Sequence, residues 1–328
     1  MLQQTRVETV IPYWERFVRE LPDVRSLAEA PLSHVLSLWS GLGYYRRARM
    51  LHAAAQRLAR EHDGRIPEEP EALARLEGVG AYTAGAVASI AFGKRAPAVD
   101  GNVARVLARI FSIREEVSSG KGRALVWKIA GELVPGPGEG DPGAWNQALM
   151  ELGATVCTPR KPACAECPAG ALCEARSRGL VGDLPRKAAK KPPKTVRLAA
   201  LVLESTAGVL LARRKEGELF GGLWEPPSVE SDVGKIGSLA ARLGVPRARI
   251  VPAGEVVHVL SHRRLVVSVS RGLPGRSERS WPLPGRNLDG RSPYDLVEWV
   301  PLDSDCRPRD ARPHSSLARK IIAVGRQR

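Results

Sequence analysis

The sequence predicts a multidomain chain, an all-helical domain followed by an α+β domain, on three observations. Apolar residues recur at three- and four-residue steps through residues 1–180, the period of helices with one buried face. Lysines and prolines over 181–196 break that pattern with the composition of an exposed linker. Over 197–328 the apolar period falls towards two, as half-buried strands require.

The helical period begins almost at once, in "VETVIPYWERFVREL" behind "MLQQTR", with no capping residue ahead of it. It continues in "LAEAPLSHVLSLW" and "RRARMLHAAAQRLAREH", with Pro and Gly as the breaks. "EALARLEGVGAYTAGAVASIAF", "NVARVLARIF", "ALVWKIAGELV" and "AWNQALMELGATV" complete the first domain. Past the linker, "RLAALVLES", "GVLLARR" and "RLVVSVS" have strand character, and "GKIGSLAARLGV" is a helix-like piece among them.

At 328 residues the chain can bury two sizeable cores. Its 43% hydrophobic content is that of a soluble globular protein, and its apolar runs are too short to span a bilayer. Arg6, Glu8, Glu15, Arg16, Arg19 and Glu20 exclude a secretory signal over the first residues, so a cytoplasmic location is expected, with no membrane association. Nothing points to an oligomer, and a monomer is expected. The net charge of +15 is uneven: 23 basic against 20 acidic residues over 1–180, six against one over 181–200, and 21 against 14 over 201–328. That excess favours a polyanionic partner, because each phosphate neutralised releases counterions. Charge alone does not separate nucleic-acid binding from an Arg-rich surface.

"CTPRKPACAECPAGALC" holds Cys157, Cys164, Cys167 and Cys173 in the spacing C-x6-C-x2-C-x5-C. Four thiols this close in a chain without an export signal point to metal ligation over disulfides. Zinc accepts four thiolates and so does an iron–sulfur cluster, and the spacing leaves both open. Arg160 and Lys161 lie between the first two cysteines, where a pinned loop can hold fixed charge against a phosphate backbone. Cys306 lies apart in a polar stretch, as a bystander.

"LEGVGAYTAGAVASI" sets Gly78 and Gly80 in a short turn between helices. Glycines there permit positive φ and close approach, and the amides opening the next helix suit a phosphate. About twenty residues on, "APAVDGNVARVLARI" places Asp100 ahead of a helical run, where capping is its plainest role.

The hairpin turn, the Asp in "VDGNV" and the closing four-cysteine cluster together resemble the iron–sulfur DNA glycosylases of the endonuclease III superfamily. "MLQQT", "GLGYYRRAR" and "FGKRAPAVDGNVARV" narrow the resemblance to adenine DNA glycosylases of the MutY type. It implies a 4Fe–4S cluster rather than zinc, and double-stranded DNA carrying A:8-oxoguanine or A:G mispairs as the partner. It assigns Asp100 to stabilising the sugar cation, and Tyr82 and Asn102 to the catalytic pocket, with Gln147 helping to read adenine. Gln4, Thr5, Leu42 and Tyr44 are expected on the lesion side. Endonuclease III enzymes carry a Schiff-base lysine where Tyr82 stands, so a monofunctional glycosylase is implied.

"GELFGGLWEPPSVE" and "VVHVLSHRRLVVSV" resemble the MutT-related (Nudix) tail of that family. The helix-like piece carries no glutamate run to hold magnesium, so a recognition domain is expected, with Ser261 and His262 contacting 8-oxoguanine. The family's general-acid glutamate is expected two residues ahead of the position of Met1, so this chain is expected to excise poorly. The alternatives are a lesion-binding protein without catalysis, an endonuclease III-type glycosylase/lyase, and a Nudix hydrolase.

Overall fold

The expected first helix forms as α1 (Val7–Glu20), entered without a side-chain cap and burying Val10 and Phe17. The apolar period through 27–39 is cut at Pro31, giving α2 (Val24–Glu29) and α3 (Leu32–Leu38). Ala30, ahead of the proline, is extended (φ −61°, ψ 139°), as the proline ring demands of its neighbour. Asp23 and Ser26 close a capping box at the start of α2. There follow α4 (Arg46–Glu61), α5 (Pro70–Leu73), α6 (Ala81–Phe92), α7 (Gly101–Ile110), α8 (Gly120–Leu133) and α9 (Pro142–Glu151). The last runs into a π-helical turn, Leu152–Val156, and α10 (Glu174–Ser177) follows the cysteines. In this computed structural model the described residues are 1–186, 192–230, 236–242, 250–260, 262–272, 293–309 and 312–327.

The tail is α+β, as its period predicts. One sheet has the order β5-β1-β7-β6, from β1 (Lys194–Val202), β5 (Ser228–Glu230), β6 (Ile250–Val259) and β7 (Arg263–Gly272). β1 and β7 are parallel, with Leu198 opposite Val267, and the other pairs are antiparallel. In the second sheet β3 (Gly208–Arg214) pairs with β2 (Glu204–Ser205), β4 (Trp224–Glu225) and β8 (Tyr294–Val300). The end of β1 is buried on both faces, which is why "LAALV" is continuous rather than alternating. Ala200 and Val202 join a core with Val267, Leu317 and Ile321, while Ala199 and Leu201 join another with Ile236, Leu239 and Tyr294. These cores are covered by α12 (Ser316–Arg326) and α11 (Ile236–Arg242) respectively. The sequence indicated α11; α12, which buries Leu317, Ala318, Ile321 and Ile322, was not expected.

The chain divides into two compact units, Met1–His52 with Lys191–Arg328, and Ala53–Lys190. The helical stretch expected over 1–180 thus contributes to both. The core of the second unit joins Val103, Val106 and Leu107 of α7 to Val126 and Ala130 of α8 and Leu149 of α9. Among the described residues no helix is long and apolar enough to cross a membrane.

Candidate active site and metal centre

Asp100 is the N-cap of α7, as the sequence suggested. Its Oδ1 accepts the backbone N–H groups of Asn102 at 2.8 Å and Val103 at 2.7 Å. Its Oδ2 accepts Asn102 Nδ2 at 3.0 Å, so the carboxyl group is held in one orientation. Asn102 Oδ1 in turn accepts Arg105 Nη2 at 2.8 Å. Arg105 also donates to the carbonyls of Gly153 (2.6 Å) and Cys157 (2.8 Å), and burial pulls its guanidinium below the usual arginine range. An unbroken chain of contacts therefore runs from the first cysteine's carbonyl to Asp100. Gly153 is where the π-helical turn meets Asn102: a Cβ there would lie 2.6 Å from Asn102 Cβ.

Tyr82 stands near this group. Its hydroxyl donates to Met150 Sδ at 3.4 Å, and burial, then the Asp100 charge, push its pKa up. The segment leading to Asp100 is fixed from behind by Asn146 of α9, which is only 2% exposed. Asn146 Oδ1 accepts Ala98 N–H (3.1 Å), and its Nδ2 donates to Ala96 O (2.8 Å) and Ser89 Oγ (2.9 Å). Gln147, singled out from the sequence, is exposed and bonds back to Gly143 O of its own helix at 3.2 Å. Gly78 (φ 78°) makes the hairpin turn, and Gly80 caps α6 with no side chain over the helix N-terminus. Both are exposed, and nothing lies within 4 Å of a Cβ placed on Gly80.

Cys157, Cys164, Cys167 and Cys173 are free thiols that line a single pocket together with Val106, Arg109 and Ile110 of α7. Arg109, 2% exposed, donates from Nη1 to Thr158 O (2.8 Å) and points the same nitrogen at Cys157 Sγ (3.3 Å). Its Nε donates to Leu184 O at 2.9 Å. A Cβ on Gly170 would lie 2.4 Å from Arg176 Nη1 and 3.0 Å from Cys167 O, so a larger residue would have to displace the Arg176 side chain and crowd the loop backbone. Among the described residues no three His, Cys, Asp or Glu side chains are set to hold a single metal ion. The four thiols around one pocket are the donor set of a multi-atom group with thiolate ligands at its corners. Arg160 and Lys161 are exposed on the loop between the first two cysteines.

In the other unit, Gln4 is exposed and Thr5 partly buried. Tyr44 is 50% exposed, but Leu42 is 6% exposed. Leu42 is tucked into the turn by its own N–H on Trp39 O (3.0 Å), so reaching a duplex requires it to leave that packing. In the tail, β6 and β7 are joined by a tight turn, closed by Leu260 N–H on Arg263 O at 2.8 Å. His262 is exposed in this turn and Leu260 packs on the core. Ser261 lies outside the described residues. The seven residues of α11 include no carboxylate.

Arg105, Arg109 and Asn146 were not indicated by the sequence. Arg105 and Arg109 are polar residues in a strongly periodic helix and Asn146 one in a weakly periodic helix, and each is taken for the solvent face. Their burial follows from carbonyls and amides of distant loops that need partners.

Residues 1–132 match the model of the HhH-GPD superfamily base excision DNA repair proteins, and residues 198–322 match the NUDIX domain. The human adenine DNA glycosylase is 39% identical over 82% of this chain and 59% of its own length. The rat protein of that name is 38% identical over 87% of this chain and 65% of its own. That of Schizosaccharomyces pombe is 50% identical over 53% of this chain and 38% of its own. Among solved structures, a thermostable thymine-DNA glycosylase aligns at 32% identity and a TM-score of 0.49, covering 54% of this chain and 80% of that one. The chain spans less than two thirds of the length of the mammalian relatives. The chain is thus similar over most of its length to the adenine DNA glycosylases of the MutY family, with an HhH-GPD match in its first half and a NUDIX match in its second.

Proposed function

We propose that this chain is a monofunctional DNA glycosylase acting on adenine mispaired with 8-oxoguanine or guanine. The observation that carries the reading is the Asp100 carboxyl group, oriented by three hydrogen bonds at the head of α7 and flanked by Tyr82 and Asn102. The target adenine must leave the stack before its glycosidic bond is reachable. As the C1′–N9 bond breaks, its electron pair leaves with the base and positive charge grows on the sugar. A fixed anion stabilises that charge without reorganising at the moment of reaction. Water then adds to C1′ and gives up a proton, and the base departs protonated. Tyr82 is a phenol and cannot form the imine that a lyase needs. The open amides at Gly80 and the exposed Arg160 and Lys161 are suited to phosphates on either side of a flipped nucleotide. His262, with Ser261, is proposed to contact 8-oxoguanine.

A 4Fe–4S cluster would be held by Cys157, Cys164, Cys167 and Cys173, and its contribution when bound is to cross-link their loop against α7. We expect iron at the 4Fe–4S ratio in chain purified without oxygen, with visible charge-transfer absorbance, both lost in Cys164→Ser. Stoichiometric zinc in place of iron would overturn this assignment.

Among the described residues the groups bonded to the Asp100 carboxylate are the amides of Asn102 and Val103, which are not general acids, and the raised pKa of Tyr82 makes it a poor proton donor to adenine N7. This favours a second reading, lesion binding with little catalysis. Single-turnover assays on an A:8-oxoguanine duplex separate the two. Excision by residues 1–328 is expected about 10²–10⁴-fold below that of a glycosylase with its general acid in place. Borohydride should trap no covalent adduct; trapping would establish a lyase and sink the monofunctional assignment.

A further inference from the structure

Arg47, the second residue of α4, has no role in the account above, yet it touches two of the residues proposed to face the lesion, Thr5 and Tyr44, and the neighbours of a third, Gln4. Its Nη1 donates to Met1 O at 2.6 Å and to Gln3 O, and its Nη2 to Thr5 Oγ1 at 3.0 Å and, longer, to Gly43 O at 3.4 Å. The guanidinium carbon also lies 5.2 Å from the centre of the Tyr44 ring and 5.6 Å from that of Trp39. Trp39 is itself fixed, 1% exposed, with Nε1 on Gly43 O at 3.0 Å and its ring edge-on to Phe17.

Two non-glycine residues in this group adopt positive φ, Gln4 at 59° and Tyr44 at 50°. Such conformations persist only where the surroundings over-determine them. Arg47 brackets both: its acceptors at Gln3 and Thr5 flank Gln4, and its contacts at Gly43 and on the ring hold Tyr44. The terminal nitrogens are occupied by the protein, and Nε is buried without a partner. Arg47 is therefore unlike the phosphate-binding arginines of a basic surface. It acts through the residues it holds.

We propose that Arg47 is a positioning residue for lesion specificity: it fastens the Gln4–Thr5 segment beside Tyr44, so that the two present one rigid edge to the damaged base pair. The inference rests on the reading of Gln4, Thr5 and Tyr44 as lesion-side contacts. A lysine offers a point charge where a planar fork must serve four acceptors and two ring faces, so Arg47→Lys is not conservative here.

The test is equilibrium binding of the full 328-residue chain, by fluorescence anisotropy, to duplexes with an uncleavable 2′-fluorinated adenosine opposite 8-oxoguanine or opposite thymine. Wild type is expected to prefer the lesion duplex. Arg47→Lys should lose about tenfold of that preference, which is about 1.4 kcal/mol, with affinity for the undamaged duplex nearly unchanged. Thr5→Val, which removes one acceptor and leaves the guanidinium in place, should lose about threefold, a fraction of a charged hydrogen bond. It also keeps the test sharp if Arg47→Lys fails to fold. Equal weakening on both duplexes would mean a structural role only and overturn the proposal, as would an unchanged preference in both variants. A wild type without preference would instead overturn the lesion reading on which the proposal stands.

Discussion

Asp100→Asn is expected to lower the single-turnover rate of adenine excision by about 10²–10³-fold, the loss typical when one preorganised electrostatic group is removed. Lesion binding should survive. The substitution separates the two roles that position 100 carries. Asparagine caps helices as well as aspartate does, so its Oδ1 can still take the amides of Asn102 and Val103. What changes is the other end of the group. A new Nδ2 would face Asn102 Nδ2, donor against donor, and Asn102 cannot turn over without losing Arg105 from its Oδ1. The variant should therefore be destabilised by about 1 kcal/mol through that one lost bond, too little to unfold the unit. Asp100→Ala loses cap and charge together, and is expected to cost about 1 kcal/mol for the cap with the same rate loss. If Asp100 were a cap and nothing more, the Asn variant would excise adenine at the wild-type rate.

What could be seen beforehand follows from how local each signal is. Helix α7 and its cap were visible because an Asp followed by an apolar three–four period is a local statement. The same holds for the cysteine spacing and the glycine hairpin. Asn146 marks the limit: it neighbours Gln147, which the resemblance singled out and the fold leaves exposed, and it was passed over although the fold buries it. The reason is not on α9 at all but in the unpaired amide of Ala98 and carbonyl of Ala96, which needed a two-faced partner. Arg105 and Arg109 were hidden likewise, because an arginine in a helix is read as solvated until the loop carbonyls of Gly153, Cys157 and Thr158 are brought to it. Leu42 shows the converse. In "GLGYY" it shares its surroundings with Tyr44, and only the turn geometry decides that one is buried and the other exposed. In the tail, two- and three-residue strands such as β4 and β5 are too short to show any period.

Gly85→Ala should destabilise the chain by about 3 kcal/mol, at the upper end of overpacking costs, although helix propensity alone predicts a gain of about 1 kcal/mol for replacing a glycine inside a helix. The added methyl carbon on α6 would lie 1.9 Å from Pro97 O, 2.9 Å from Pro97 C and 3.5 Å from Ala98 Cα. All three are backbone atoms, so no side chain can swing away. The segment cannot retreat either, because Asn146 grips it at Ala96 and Ala98 from α9. Nor can α9 yield independently, since a Cβ on its Gly143 would already lie 2.8 Å from Ser89 O and 2.9 Å from Ile90 Cα of α6. Three elements are thus closed on one another within two residues of Asp100, and the strain of an extra methyl is passed to the carboxyl group. Urea unfolding should show the lower midpoint, and single-turnover excision should fall even where the variant is folded. Gly120→Ala is the control: it sits at the first position of α8 with nothing within 4 Å of its Cβ, and should be neutral or slightly stabilising. Equal stability of the Gly85→Ala chain and wild type would mean that the approach of α6 to Pro97 has slack, and that Asp100 is not held by the packing behind it.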